Sequence, residues 1–144
     1  MFINRFFKKK KEAKNLVIEY VDADYSCFEY DHKTQHQKLM ISKKEPNIQL
    51  TIAHELAHAI YFNIIKKMYW NISEDTYKVL ASEYLAWALA KSFLKPQYWN
   101  EKYVLDCLFT YFDTAGLTPP TKIPEINKII DIQLIAIEIM KGNI

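Results

Sequence analysis

Asn47-Ile-Gln-Leu50-Thr-Ile-Ala53-His54-Glu55-Leu56-Ala57-His58-Ala-Ile60-Tyr61-Phe-Asn-Ile64-Ile65-Lys66-Lys67 is the stretch on which the fold turns. Its apolar positions Leu50, Ala53, Ala57, Ile60, Tyr61, Ile64 and Ile65 recur at the three- and four-residue spacing of one helix face. Asn47 can cap the start, just after Glu45-Pro46, and Lys66 and Lys67 suit the negative end of the helix dipole. The spacing predicts a helix from Asn47 to about Lys67. Within it stands His54-Glu55-Leu56-Ala57-His58. Residues four apart on a helix share a face about one turn apart, so two imidazoles can grip one zinc ion at about 2.0–2.1 Å each. Glu55, one position round from His54, can act on a water beside the ion without displacing it, as a general base must. The alternative is a pair of hydrogen-bonded core histidines beside a chance glutamate. Their place within an apolar stripe on a largely buried helix favours the metal.

A catalytic zinc needs a third protein ligand and one open position. No histidine follows His58, so the ligand is expected to be a carboxylate, with Glu74, Asp75 and Glu83 as candidates on the next helix. That helix is predicted from about Ser73, with Pro96 stopping it. Glu74 and Asp75 fall in its first turn, where the helix dipole alone accounts for acids. Glu83 shares a stripe with Thr76, Val79, Leu80, Ala86, Trp87, Ala90, Phe93 and Leu94. An unpaired carboxylate buried there would cost several kcal/mol or stay protonated, and a cation removes that cost. Ala86 and Ala90 are small enough for a close approach to the first helix. The alternative is a helix rolled so that Glu83 faces water.

Upstream, Leu16–Val21, Cys27–Tyr30 and Gln37–Ser42 read as short strands with Asp22, Asp24, Asp31 and His32 at turns, predicting a small antiparallel sheet. Downstream, a third helix is expected over about Gln97–Asp113, a loop over Gly116–Pro124, and a last helix over about Glu125–Lys141 that is apolar on most faces. Together these predict an α+β fold in which the sheet packs on a helical core. Residues 15–144 form one domain behind a basic arm, residues 1–14, which carries Arg5, Lys8, Lys9, Lys10, Lys11 and Lys14 against Glu12. With Phe2, Ile3, Phe6 and Phe7 the arm has the makings of a weak membrane-surface contact, although a solvated lysine run is the plainer reading.

Composition narrows the functions. The chain has 144 residues, half of them hydrophobic and a quarter charged, as in an ordinary globular domain. It has only two glycines, Gly116 and Gly142, which excludes phosphate-cradling loops, dinucleotide fingerprints and G-x-S-x-G elbows. Cys27 and Cys107 are too few for a zinc ribbon or a disulfide framework. No apolar run is long enough to span a membrane, and no signal-peptide pattern opens the chain, so a cytoplasmic protein with reduced thiols is expected. Direct nucleic-acid binding is not expected. His32 and His36, four apart in a polar stretch, do not converge as they would on a helix. Cys27 could cap a zinc ion as a thiolate, but a small buried hydrophobe is the default for both cysteines.

The sequence resembles the ImmA/IrrE-like zinc metallopeptidases of the gluzincin type. In that family a strand precedes a helix bearing His-Glu-x-x-His, and a second helix reads Glu-x-x-Ala-x-x-Phe-Ala-x-x-Leu-Leu-x-Pro. Here the second helix reads Glu83-Tyr-Leu-Ala86-Trp-Ala-Leu89-Ala90-Lys-Ser-Phe93-Leu94-Lys-Pro96. The glutamate, both alanines, one leucine and the proline are in register, and the match covers about residues 38–96. Ala57 stands where the family usually has glycine, Trp87 where asparagine is common, and Leu89 where phenylalanine is. Minigluzincins are similar in size and motif. SprT-like proteins share the His-Glu-Leu-Ala-His-Ala wording but want a further histidine downstream.

The resemblance implies a zincin-like fold and a zinc-dependent endopeptidase acting on an intracellular protein, often a repressor. Zinc would be held by His54, His58 and Glu83, with Glu55 as catalytic base. The strand Lys38–Ser42 would border the cleft and pair with an extended substrate. A second oxyanion donor is expected, with Tyr61, Tyr77, Tyr84 and Tyr98 nearest in sequence. The rival expectation is a non-catalytic zinc-binding interaction module with a vestigial site. Glu55 separates the two, since a structural site does not need an acid there.

Overall fold

β3 (Gln37–Ser42) is the strand around which the rest is arranged. Its alternation puts Gln37, Leu39 and Ile41 on a buried face and half-buried Lys38 and Met40 on the other. β1 (Leu16–Val21) and β2 (Cys27–Tyr30) flank it, in the order β1-β3-β2. The structure, a computed structural model, describes residues 16–65 and 72–123. The basic arm and the helix expected over 125–141 lie outside the described residues.

β2 runs antiparallel to β3, with Phe28 opposite Leu39, but β1 runs parallel to it, with Ile18 opposite Leu39. The sheet is therefore mixed, which corrects the expected antiparallel one. The cause is the connection between β1 and β2. Ser26 Oγ accepts the Ser42 N–H at 2.8 Å, Lys43 N–H donates to the Val21 carbonyl at 2.9 Å, and the Ser42 hydroxyl donates to the Ala23 carbonyl. These bonds tie the connection to the end of β3, so the chain crosses that end and delivers β2 to the far edge. Only β2 and β3 form a hairpin. Its loop is closed by the Asp31 carboxylate, which accepts from the N–H groups of Lys33 and Thr34 at 2.8 and 3.3 Å. Because β3 is paired on both sides, it cannot accept an added strand, contrary to the expectation for Lys38–Ser42. The free edges among the described residues belong to β1 and β2.

α1 (Ile48–Ile65) lies between this sheet and the remaining helices. Asn47 opens it through its carbonyl, which accepts the N–H and the hydroxyl of Thr51, both at 3.0 Å. One flank packs Ile52, Leu56, Ala59 and Phe62 against Phe28, Leu39 and Ile41. Another packs Leu50, Ala53, Ala57 and Ile60 against α2 (Ile72–Phe93). A helix sandwiched in this way must be apolar on most of its circumference, as this one is. At its end Asn63 exchanges amide hydrogen bonds with the buried Gln37 at 2.9 and 3.0 Å, fixing α1 to the start of β3.

From Val79 to Ala90, α2 is buried at every position except the half-buried Glu83. Ala53, Ala57, Ala86 and Ala90 belong to the core it shares with α1, leaving room for the two backbones to come close. Past Phe93, Pro96 opens a single 3-10 turn, Pro96–Tyr98. α3 (Glu101–Thr114) begins only at Asn100, whose side chain accepts the Tyr103 N–H at 3.0 Å. That cap starts the helix four residues later than the proline suggested. Val104, Leu108 and Phe112 bury one stripe of α3, and Gly116, at φ +72°, turns the chain away.

Candidate metal centre

α1 and α2 bring three side chains to one point. His54 and His58, one turn apart on α1, place their Nε2 atoms 3.1 Å from each other. Glu83 reaches across from α2, its Oε2 3.2 Å from His54 Nε2 and its Oε1 3.1 Å from His58 Nε2. The three offer one donor atom each, all within 4.8 Å of one another, and form a group that can hold a metal ion. Tetrahedral ligands at about 2.0–2.1 Å from a zinc ion stand roughly 3.3 Å apart, and donor separations that all lie within 4.8 Å leave such an ion within reach of all three residues. Two imidazoles and a carboxylate are a donor set that zinc accepts readily.

The electrostatics point the same way. Burial alone would push the His58 imidazole down, but the Glu83 carboxylate, by charge and hydrogen bond, carries it up to about 9. Burial would raise the Glu83 carboxyl, yet the charges and hydrogen bonds of His58 and His54 hold it well below the usual carboxylate range. Glu55, only 6% exposed, is pushed above its ordinary value chiefly by burial, with the two imidazoles opposing and Glu83 and Glu45 adding to the rise. Two buried carboxyls, Glu55 and Glu83, thus act on the two imidazoles, and a cation there would favour the ionised form of Glu55.

A pH dependence follows. Below about pH 9 the metal-free His58 carries a proton that a metal must expel. Zinc affinity should therefore rise about tenfold per pH unit towards that value, with one proton released per ion near pH 7, measurable by calorimetry in buffers of different ionisation enthalpy. Because the folded value lies above the unfolded one, the metal-free protein draws stability from His58 below about pH 6.5 and loses it as pH rises through about 9. Zinc uptake insensitive to pH would remove His58 from the ligand set.

Of the other candidates, Glu74 and Asp75 have side chains outside the described set, as do Tyr61 and Tyr77. Tyr84 is buried in the core shared by α1 and α2, and Tyr98 is exposed on the 3-10 turn. Cys27 lies within the field of Glu55, but burial, Glu29 and Glu55 all raise its thiol, so a thiolate cap on the ion is disfavoured. His32 and His36 are exposed and join no metal-capable group among the described residues.

The face of α3 near the site was not expected from the sequence. Tyr103, Cys107 and Tyr111, spaced four apart, pack beside the Val104-Leu108-Phe112 stripe. Tyr111 sits against Glu83, whose charge, ahead of burial, raises the phenol, and Glu55 and Cys107 add to the rise. Tyr103 donates to Glu45 at 3.4 Å, and Ser26 donates to the same carboxylate at 3.0 Å. The i, i+4, i+8 spacing of polar-tipped side chains along an amphipathic helix was the available signal. It could not say which neighbour they would meet.

In comparisons with known proteins, no family model, no curated protein and no solved structure matches this chain.

Proposed function

We propose that this protein is a zinc-dependent endopeptidase of zincin-like architecture, acting inside the cell on a protein or peptide substrate. By its resemblance to ImmA/IrrE-like peptidases, the substrate class is a repressor or another regulator. The observation that carries the reading is the convergence of His54 Nε2, His58 Nε2 and a Glu83 oxygen on one point, with a buried acid, Glu55, next in sequence to the first imidazole. A structural metal site has no use for that acid, whereas hydrolysis requires one.

His54, His58 and Glu83 would hold the ion. When bound, zinc supplies Lewis acidity, which acidifies water and polarises a carbonyl group. Glu55 takes the proton from the attacking water and returns it to the departing amine. Tyr111, beside Glu83 and within the field of Glu55, is our candidate to donate a hydrogen bond to the carbonyl oxygen as charge develops on it. The edge of β2, whose Cys27 lies within the field of Glu55, is free, and an extended substrate can pair with it through backbone hydrogen bonds. No described helix is long and apolar enough to cross a membrane, which is compatible with a substrate met in solution.

The purified protein should carry about one zinc per chain by elemental analysis. It should cleave an unstructured polypeptide such as casein, lose that activity to a chelator, and regain it with zinc. Cleavage that survives complete metal removal would overturn the proposal.

A further inference from the structure

The ring of His54 is held in an uncommon way. Its Nδ1 is buried and has no hydrogen-bond partner among the described residues. A metal-ligating histidine ordinarily gives the proton on its second nitrogen to a carboxylate, carbonyl or water, which orients the ring and raises its basicity. The indole of Trp87 occupies that role by other means. It lies over the imidazole with centroids 3.8 Å apart and planes 20° apart. Trp87 comes one helical turn after Glu83 on α2 and is itself braced by Trp99, edge-on at 6.4 Å. Trp99 in turn donates its indole N–H to Glu101 and lies under the Lys91 ammonium, 5.6 Å from the ring centre.

Rotation of an imidazole about its last side-chain bond is soft and roughly two-fold. A parallel indole removes most of that freedom by fixing the plane, which leaves two flipped states. The 3.2 Å contact of Nε2 with Glu83 selects between them. We propose that Trp87 is a positioning residue of the metal centre, presenting His54 Nε2 to the ion by stacking where a hydrogen bond to Nδ1 would otherwise do so. This rests on the reading of His54, His58 and Glu83 as metal ligands. Flat aromatic surface, and not polarity, is then what position 87 must supply.

The test is zinc affinity, measured on the full chain by competition with a chromophoric chelator, for the wild type, Trp87→Phe and Trp87→Leu. Trp87→Phe keeps a stacking face and should bind within about twofold of wild type, whereas Trp87→Leu should bind roughly tenfold more weakly and release zinc correspondingly faster. A second measurement does not depend on how well the leucine variant folds. In a Trp70→Phe/Trp99→Phe chain, Trp87 is the sole indole, and its emission should shift on zinc addition with the midpoint of binding. Equal affinity in Trp87→Leu, or a lone Trp87 whose emission ignores bound zinc, overturns this proposal while leaving the metal centre standing. A wild-type chain that binds no zinc overturns both.

Discussion

Glu55→Gln should retain zinc and lose cleavage, with kcat/KM falling by about 10²–10⁴-fold, the range that general acid–base catalysis contributes. Glutamine keeps the volume and one acceptor oxygen of the original side chain, so the core around position 55, which is almost closed to solvent, has no reason to rearrange. It leaves untouched the contacts of Glu83 with both imidazoles, so His54, His58 and Glu83 should still assemble. What disappears is the proton acceptor. The acid limb of the pH profile carries a second signature. The base is lost once Glu55 takes up a proton, so wild-type activity should decline on the acid side. That limb should be missing from whatever residual rate the variant shows. Proteolysis at the wild-type rate by zinc-loaded Glu55→Gln would make Glu55 a bystander and favour a binding module whose peptidase site is vestigial.

The parts of this molecule that were legible in its sequence are those set by local periodicity. The alternation of Gln37–Ser42 and the helical spacing through His54 and His58 survive in β3 and α1 because burial on the two flanks of α1 demands them. Glu83 was legible for the same reason: a carboxylate on an otherwise apolar stripe needs a partner, and the close approach of two alanine-bearing helix faces supplies one. Strand order was not legible. Val17, Ile18 and Tyr20 have the same strand propensity beside either neighbour, and the choice is made by the Ser26–Ser42 and Ala23–Ser42 bonds that carry the chain past β3. The start of α3 was misplaced because Pro96 and Asn100 are both good openings, and the side-chain cap of Asn100 outweighs the proline. Trp87 was read as core, which its burial bears out, but stacking on His54 depends on how two helices cross, and no spacing within one helix encodes that.

On the proposed ligand set, Glu83→Gln should reduce zinc affinity by more than about 100-fold, because even losing the outer partner of a ligand costs 10–100-fold and here the proposed charged ligand itself is removed. The amide is nearly isosteric, so the approach of α2 to α1 is preserved, but its neutral oxygen is a poor donor for the ion. The consequences for the metal-free protein separate this from general damage. His58 is carried up to about 9 by Glu83, against the pull of burial. Without that carboxylate, desolvation prevails, and the His58 imidazole should titrate well below 9, visible as a shift of its ring proton resonances in NMR. The stability that wild type draws from the ion pair below about pH 6.5 should be absent from the variant, and its thermal midpoint should vary less between pH 6.5 and 9. Glu83→Ala is the harsher version, since it opens space beside two buried imidazoles as well as removing the charge, and stability loss there would not discriminate. The decisive comparison is the glutamine variant at constant fold. If it binds zinc as tightly as wild type, the third ligand lies elsewhere, with Glu74 and Asp75 the next carboxylates to replace, and the His54–His58–Glu83 triangle becomes a buried ion-pair cluster instead of a metal centre.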